Sequence, residues 1–260
     1  MPPTTLAVDH YDRLLAEHYT WMLGGDLPDL VAGQRALLAE WGVLPDGAGR
    51  RAVDLGCGPG HTSLALAALG FATVLAVDLS RPLLEELGRH AAEVPAVRPV
   101  HADLRTALRE HVGRGTADAV VCLGDTLTHL PTRGDVAALL NDIAAALTPD
   151  GTVVLSYRDL TVPLTGTDRF LPVRATEDRI MTCFLEYPDD FDDYTVVVHD
   201  LVHVRERVGE DWTLKTGSYR KLRVSHEWVL RQCATAGLRV VDERAGHGGV
   251  SRTVVLRLAG

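Results

Sequence analysis

The segment Arg51-Ala52-Val53-Asp54-Leu55-Gly56-Cys57-Gly58-Pro59-Gly60 constrains this chain more than any other. Arg51 to Leu55 reads as a buried strand and Thr62 to Leu69 as a helix, so the three glycines must make the turn between them. Without a Cβ, a glycine accepts positive φ and lets a ligand lie against bare backbone. A strand, a tight glycine turn and a helix form one crossover of an open α/β sheet, and such sheets bind ligands beyond the carboxyl ends of their strands.

The pattern continues downstream. Phe71 to Val77 reads as a strand. Ser80 can cap the helix that follows, with Pro82 in its first turn and Glu85 and Glu86 near its positive end. Ala96 to His101 is a third strand, with a short helix from Leu104. Ala117 to Leu123 is almost continuously apolar, as expected of a parallel strand covered on both faces. Val136, Leu139, Leu140, Ile143 and Leu147 recur at helical spacing. Thr148-Pro149-Asp150-Gly151 is a turn, and Val153 to Tyr157 is a fifth strand. Upstream, residues 9–41 read as two helices broken by Gly24-Gly25 and Pro28, rich in aromatic side chains. After Thr161 the alternation stops. Residues 179–187, 194–206 and 212–224 read as long antiparallel strands separated by Pro188-Asp189-Asp190 and Gly209-Glu210-Asp211. A helix from Glu227 to Ala236 and strands at Leu238 to Glu243 and Thr253 to Leu258, around a glycine-rich hairpin, close the chain.

A length of 260 residues allows one large α/β domain or a core with an insertion. The net charge of −9, with no Lys/Arg cluster, argues against nucleic acid as the main partner. Met1-Pro2-Pro3-Thr4-Thr5 lacks the basic and apolar regions of a secretory signal, and no apolar run approaches the roughly 18 residues of a membrane helix. Cys57, Cys122, Cys183 and Cys233 are scattered without a C-x-x-C pair. Free thiols in a reducing cytoplasm are the expectation.

Four signals fall at successive strand ends. The first is the glycine turn. The second is Asp78, which can accept two hydrogen bonds from a ribose diol or cap the next helix. The third is His101-Ala102-Asp103-Leu104, whose acid can accept from an adenine amino group or again serve as a helix cap. The fourth is Cys122-Leu123-Gly124-Asp125-Thr126-Leu127-Thr128-His129-Leu130, where an apolar strand opens into polar residues.

The D-x-G-x-G-x-G string and the order of these signals resemble class I S-adenosylmethionine (SAM) methyltransferases. Cys122 to Leu130 resembles the Cys-Leu-Gly-Asn-Ser-x-x-His-Leu of glycine N-methyltransferase-like enzymes, with Asp125 standing where they have Asn. The resemblance implies a Rossmann-like α/β fold, a seven-stranded doubly wound sheet with helices on both faces. It further implies an N-terminal helical lid over residues 1–45, a core formed by 46–160 and 226–260, and an antiparallel insertion over 161–225 that covers the substrate. It implies SAM as cofactor and S-adenosyl-L-homocysteine as product. Asp54, Gly56, Cys57, Gly58 and Gly60 would hold the methionine end. Asp78 and Leu79 would hold the ribose, and Ala102, Asp103 and Leu104 the adenine. Leu123, Gly124 and Asp125 would pass beside the sulfur.

His129 is the candidate base, or a residue packing the loop before Pro131. Arg158 and Asp159 are candidate substrate contacts or a mutual salt bridge, and Tyr219 could close the pocket from the insertion. Tyr11, His18, Tyr19 and Trp21 could form an aromatic lid over the cofactor, with Tyr11 and Tyr19 as the candidate cofactor contacts, or pack the helices. His199 and His203 lie four apart on a strand with no third ligand nearby, so no metal is expected.

The reading that follows is a methyltransferase acting on an oxygen or nitrogen of a small molecule. No nucleic acid or membrane is expected as partner, and the oligomeric state is left open, a homodimer included. The alternatives are a non-catalytic SAM-binding subunit and an NAD(P)-dependent oxidoreductase. His61 in place of a third dinucleotide glycine and the lack of Tyr-x-x-x-Lys argue against the latter.

Overall fold

A computed structural model of the protein describes residues 7–188, 194–207, 209–246 and 250–260. Met1-Pro2-Pro3-Thr4-Thr5, Asp189-Asp190 and the tip of the glycine-rich hairpin at 247–249 lie outside the described residues.

Strand β1 (Arg51–Leu55) is buried along four of its five residues and lies inside a seven-stranded sheet. The others are β2 (Thr73–Asp78), β3 (Val97–His101), β4 (Ala117–Cys122), β5 (Leu147–Arg158), β10 (Leu238–Ala245) and β11 (Ser251–Leu258), in the order β10-β11-β5-β4-β1-β2-β3. Only β11 runs against its neighbours. Helices cover both faces, which is why the central strands are apolar on both sides. Leu38 of α3 (Leu27–Glu40), Leu64 and Leu66 of α4 (His61–Ala68) and Leu87 of α5 (Arg81–His90) pack on one face. Leu108 of α6 (Leu104–His111), Leu139, Leu140 and Ile143 of α7 (Arg133–Ala146) and Val229 and Cys233 of α8 (His226–Thr235) pack on the other. Helix α7 starts at a reciprocal cap, with Thr132 Oγ1 accepting from Asp135 N and Thr132 N donating to the Asp135 carboxylate.

Two local expectations need correction. Thr148-Pro149-Asp150-Gly151 does not precede the fifth strand. Leu147 pairs with Ala117 and Thr152 with Ala119, so the four residues bulge out within β5. The insertion also has a strand that the sequence reading missed, β6 (Phe170–Ala175). Pro172 obscured it, and a proline is tolerated there because β6 is an edge strand with a register shift between Pro172 and Arg174. Strands β6, β7 (Arg179–Glu186), β8 (Thr195–Val204) and β9 (Thr213–Leu222) form a separate antiparallel sheet in that order.

The chain from residue 7 to 22 runs between this sheet and the core. It is helical but broken: α1 (Ala7–His10), a π turn (Tyr11–Leu15), a 3₁₀ turn (Ala16–His18) and α2 (Tyr19–Met22). Leu14 and Leu15 pack against Met181 and Val202 of the insertion. On the core side, Ser80 Oγ donates to Asp12 at 2.6 Å and Thr20 Oγ1 donates to Glu86.

The glycine turn is fixed by packing as well as by conformation. Gly60 has φ +93°, and a Cβ there would lie 2.0 Å from Leu87 Cδ1. Gly56 has φ +73°, and a Cβ would lie 2.3 Å from the Thr126 side chain. Gly88, on α5, has neither constraint. Gly60→Ala is therefore expected to destabilise the protein by about 3 kcal/mol in urea unfolding. Gly88→Ala is expected to be neutral or to stabilise by up to about 1 kcal/mol in the same measurement.

Candidate active site

The carboxyl ends of β1 to β4 open onto one cavity of about 230 Å³. Gly56 and Gly58 line it from the first turn, Asp78 and Leu79 from β2, Asp103 and Leu104 from the end of β3, and Gly124 and His129 from the loop after β4. Tyr11 and Tyr19 close it from the N-terminal segment, and Leu130 and Pro131 from the far side. Of the four residues considered as an aromatic lid, only these two tyrosines face the cavity. Trp21 turns to the Arg174 and Arg179 guanidiniums of the insertion, and His18 lies beside Arg179.

Asp78 is held in place by backbone donors. Gly58 N donates to Oδ2 at 2.9 Å and Ser80 N to Oδ1 at 2.8 Å. Burial raises its carboxyl above the usual range, and these donors offset part of that. Asp103 caps α6 through Arg105 N at 2.9 Å and is gripped by the Arg105 guanidinium, which lowers its carboxyl. Arg105 also lines the cavity.

Several expected site residues do not line it. Asp54 is buried beneath the glycine turn, where it accepts from Ser63 Oγ at 2.6 Å; burial raises its carboxyl to about 7. Cys57 is buried, and its thiol is pushed well up by desolvation, so it stays protonated. Gly60 packs on Leu87, and Ala102 is buried in the core. Leu123 packs beneath the sheet against the α3–α5 layer. Asp159 is neither on the cavity nor paired with Arg158. It accepts from Thr161 and from His226 N, holding the start of α8.

Asp125 is the one non-glycine residue among those described with positive φ, +76°. Its carboxylate is buried and held three ways. Lys221 Nζ donates to Oδ2 at 2.9 Å, Arg158 Nε lies 3.2 Å from Oδ2, and Arg158 N donates to Oδ1 at 2.6 Å. Burial by itself would raise this carboxyl, but the two cations outweigh it and hold it at about 2.

His129 Nε2 lies 3.4 Å from Tyr11 Oη, while Nδ1 is buried without a partner. Its ring stacks on Tyr219 at 5.4 Å between centroids. Tyr219 sits behind His129 rather than on the cavity wall. Burial, followed by the Lys221 charge, pulls the imidazole down to about 3. It is uncharged at neutral pH and a weaker proton acceptor than a base tuned near 7. Tyr11, Tyr19 and Tyr219 all have phenols raised by burial, Tyr19 to about 12, so they remain neutral donors.

Lys221 was not singled out in the sequence. The available signal was strand alternation, which puts it on the same face as Tyr219. The acid at 125, in a segment that resembles one bearing a neutral amide there, was the second clue, because a buried charge needs a partner. Among the described residues no group of three or more His, Cys, Asp or Glu could hold a metal; His199 pairs with Glu186 at 2.7 Å.

Residues 52–151 match the methyltransferase domain family. Among curated relatives, the chain is 35% identical over 154 residues to a cypemycin N-terminal methyltransferase of a Streptomyces species, covering 53% of this chain and 60% of that one. It is 37% identical over 111 residues to a ubiquinone biosynthesis O-methyltransferase of Xanthomonas campestris, covering 42% of this chain and 43% of that one. The chain thus spans about half the length of the curated relatives it matches. Among solved structures it superposes on the CcbJ methyltransferase of Streptomyces caelestis with a TM-score of 0.75 at 21% identity, covering 96% of this chain and 98% of that one. That last likeness is one of fold. Residues 52–151 thus match the methyltransferase domain family, and the chain has the fold of the SAM-dependent methyltransferases on which it superposes. No helix among the described residues is long and apolar enough to cross a membrane.

The buried carboxyls set a pH test. Asp54 titrates near 7 in the folded protein and near 4 unfolded, so the stability its protonated form contributes is present below pH 4 and is lost as pH rises to about 7. Asp54→Asn, in which Ser63 keeps an acceptor, is expected to gain stability over wild type between pH 5 and 8, on the order of 2–4 kcal/mol, and to hold a constant margin above that. Denaturant midpoints measured across that range check it.

Proposed function

We propose that the protein transfers a methyl group from SAM to an oxygen or nitrogen of a small-molecule acceptor by in-line displacement. One observation carries this reading: four consecutive strand ends deliver glycine backbone, an acid, a second acid and a bare Gly124 to a single cavity. A side chain added at Gly124 would meet no atom within 4 Å, so there is open space beside the backbone where the sulfur end is expected. The donor set suits the cofactor. Asp78 is already oriented by two amides and keeps lone pairs for a ribose diol, and Asp103 and Leu104 border the adenine end. When bound, SAM supplies an electrophilic methyl group on a sulfonium and leaves as S-adenosylhomocysteine.

The protein's own share is to bind, align and exclude water. Tyr11 and Tyr19 cover the cavity, and their faces suit a cationic sulfonium or an amine. Alignment of this kind is worth up to about 7–11 kcal/mol in favourable systems. His129, uncharged, can accept a hydrogen bond from an acceptor N–H or O–H and orient it. Arg158, half-exposed and already beside Asp125, is the candidate partner for an acceptor carboxylate. Acceptors from among amines and hydroxyl compounds fit this arrangement, as the names of the N- and O-methyltransferase relatives suggest. The boundaries expected for the lid, core and insertion fit the same reading, with the insertion on the acceptor side.

Asp78→Ala is expected to weaken S-adenosylhomocysteine binding at least about tenfold by titration calorimetry, since it removes both the ribose acceptor and the anchor of Gly58. His129→Ala is expected to lower turnover about 10²-fold with little change in cofactor affinity. A wild-type protein that binds NAD more tightly than SAM would overturn the reading.

A further inference from the structure

The inner face of β9 makes three contacts in a row. Gly217 packs on His10, where a Cβ would lie 2.7 Å from the imidazole. Tyr219 stacks on His129. Lys221 reaches Asp125. Only the last joins two charges, and both side chains are 7% exposed. An ammonium and a carboxylate this deep persist only as a pair, because either alone would be an unpartnered charge out of water.

The pair sits where the backbone is least comfortable. Gly124 and Asp125 are both left-handed, with φ of +66° and +76°. Glycine adopts this freely, whereas aspartate does so only when its surroundings hold it there. Here the Asp125 side chain is fixed from the insertion by Lys221 and from β5 by Arg158 N, while Ser156 Oγ accepts from Gly124 N at 3.0 Å. Arg158 itself is about half exposed and cannot replace a buried counter-charge. This turn carries Gly124 to the cavity wall.

We propose that Lys221 is a positioning residue: from the insertion sheet, through Asp125, it holds the left-handed Gly124–Asp125 turn against the cofactor cavity. The insertion that covers the acceptor side thereby also shapes the cofactor's side. The proposal rests on the reading of the cavity as a SAM site, but the placement of the turn can be judged without it. It also accounts for an acid at 125 in a segment that otherwise resembles an asparagine-bearing one: the acid and the lysine are a matched set.

The test uses the full chain and five variants: Lys221→Met, Lys221→Arg, Asp125→Asn, the double variant Asp125→Asn/Lys221→Met, and Lys215→Met. The last is a control on the same strand, removing a solvent-exposed pair with Glu17. Lys221→Met is expected to weaken S-adenosylhomocysteine binding about tenfold at a temperature well below its unfolding midpoint, and to move the backbone amide resonances of Gly124 and Thr126. Lys221→Arg, which keeps the charge, is expected to recover part of that affinity. The double variant, which loses the same tether but leaves no lone buried charge, is expected to bind no more weakly than Lys221→Met. Lys215→Met is expected to change neither readout.

Lys221→Met with wild-type affinity and unmoved Gly124 resonances would overturn the proposal, whatever its loss of thermal stability. So would a double variant that binds clearly more weakly than Asp125→Asn alone, since Lys221 would then act by a route other than Asp125; that comparison decides the matter if Lys221→Met does not fold. A wild-type protein that does not bind S-adenosylhomocysteine would instead sink the cofactor reading, and the amide resonances would still decide for or against Lys221.

Discussion

The floor of the site depends on how Asp78 ties the ends of β1 and β2 together. Its two oxygens accept one backbone N–H from the glycine turn and one from the start of α5. Gly56 and Cys57 add donors to Val77 O from the same turn. The left-handed glycines are thus bound to a neighbouring strand before any ligand arrives. A carboxylate that orients backbone can still offer lone pairs outward, so one side chain can serve both the fold and the proposed ribose contact. Packing completes the arrangement: Leu87 and Thr126 occupy the volumes that a Cβ at Gly60 or Gly56 would need.

Around that floor the protein treats buried carboxyls in two opposite ways. Asp54 has one hydroxyl donor and, among the described residues, no cation acting on it, so burial, helped by the Asp78 charge, wins and the group takes up its proton near neutrality. Asp125 is as well buried but faces Lys221 and Arg158, and stays ionised into acid. Desolvation is similar for both, and the counter-charges decide the outcome. Burial, reinforced by the same Lys221 charge, keeps His129 neutral. This side of the cavity therefore combines uncharged hydrogen-bonding groups at its wall with a neutralised charge pair behind them.

Much of this was legible in the sequence, for identifiable reasons. Apolar runs closed by glycine or acid gave β1, β2 and β4 and the edge where their ends meet. Helical spacing gave α7, and alternating long strands gave most of the insertion. Elements governed by local pattern were readable. Those governed by distant partners were not. Strand β6 exists because β7 supplies a ladder for a proline-containing edge. The bulge in β5 reflects pairing with β4. At the site, residues presented by backbone position, such as Gly58, Asp78 and Gly124, could be placed from their strand ends. Asp159 and Tyr219 could not, because their orientation is set by His226 and His129, 67 and 90 positions away along the chain. Lys221 escaped notice because a lysine in a strand reads as surface unless the partner 96 residues away is known.

The segment from residue 7 to 22 both roofs the cavity, through Ala7, Val8, Tyr11 and Tyr19, and bonds to the core and the insertion. Strand β11, by contrast, ends at Leu258 opposite Leu238, at the amino-terminal margin of the parallel strands. A group attached at Ala7 would stand against the cavity lining. Anything joined beyond Gly260 departs from the opposite side. For immobilisation, labelling or fusion to a carrier, the two termini are unequal handles, and the carboxyl end is the one that leaves the cavity unobstructed.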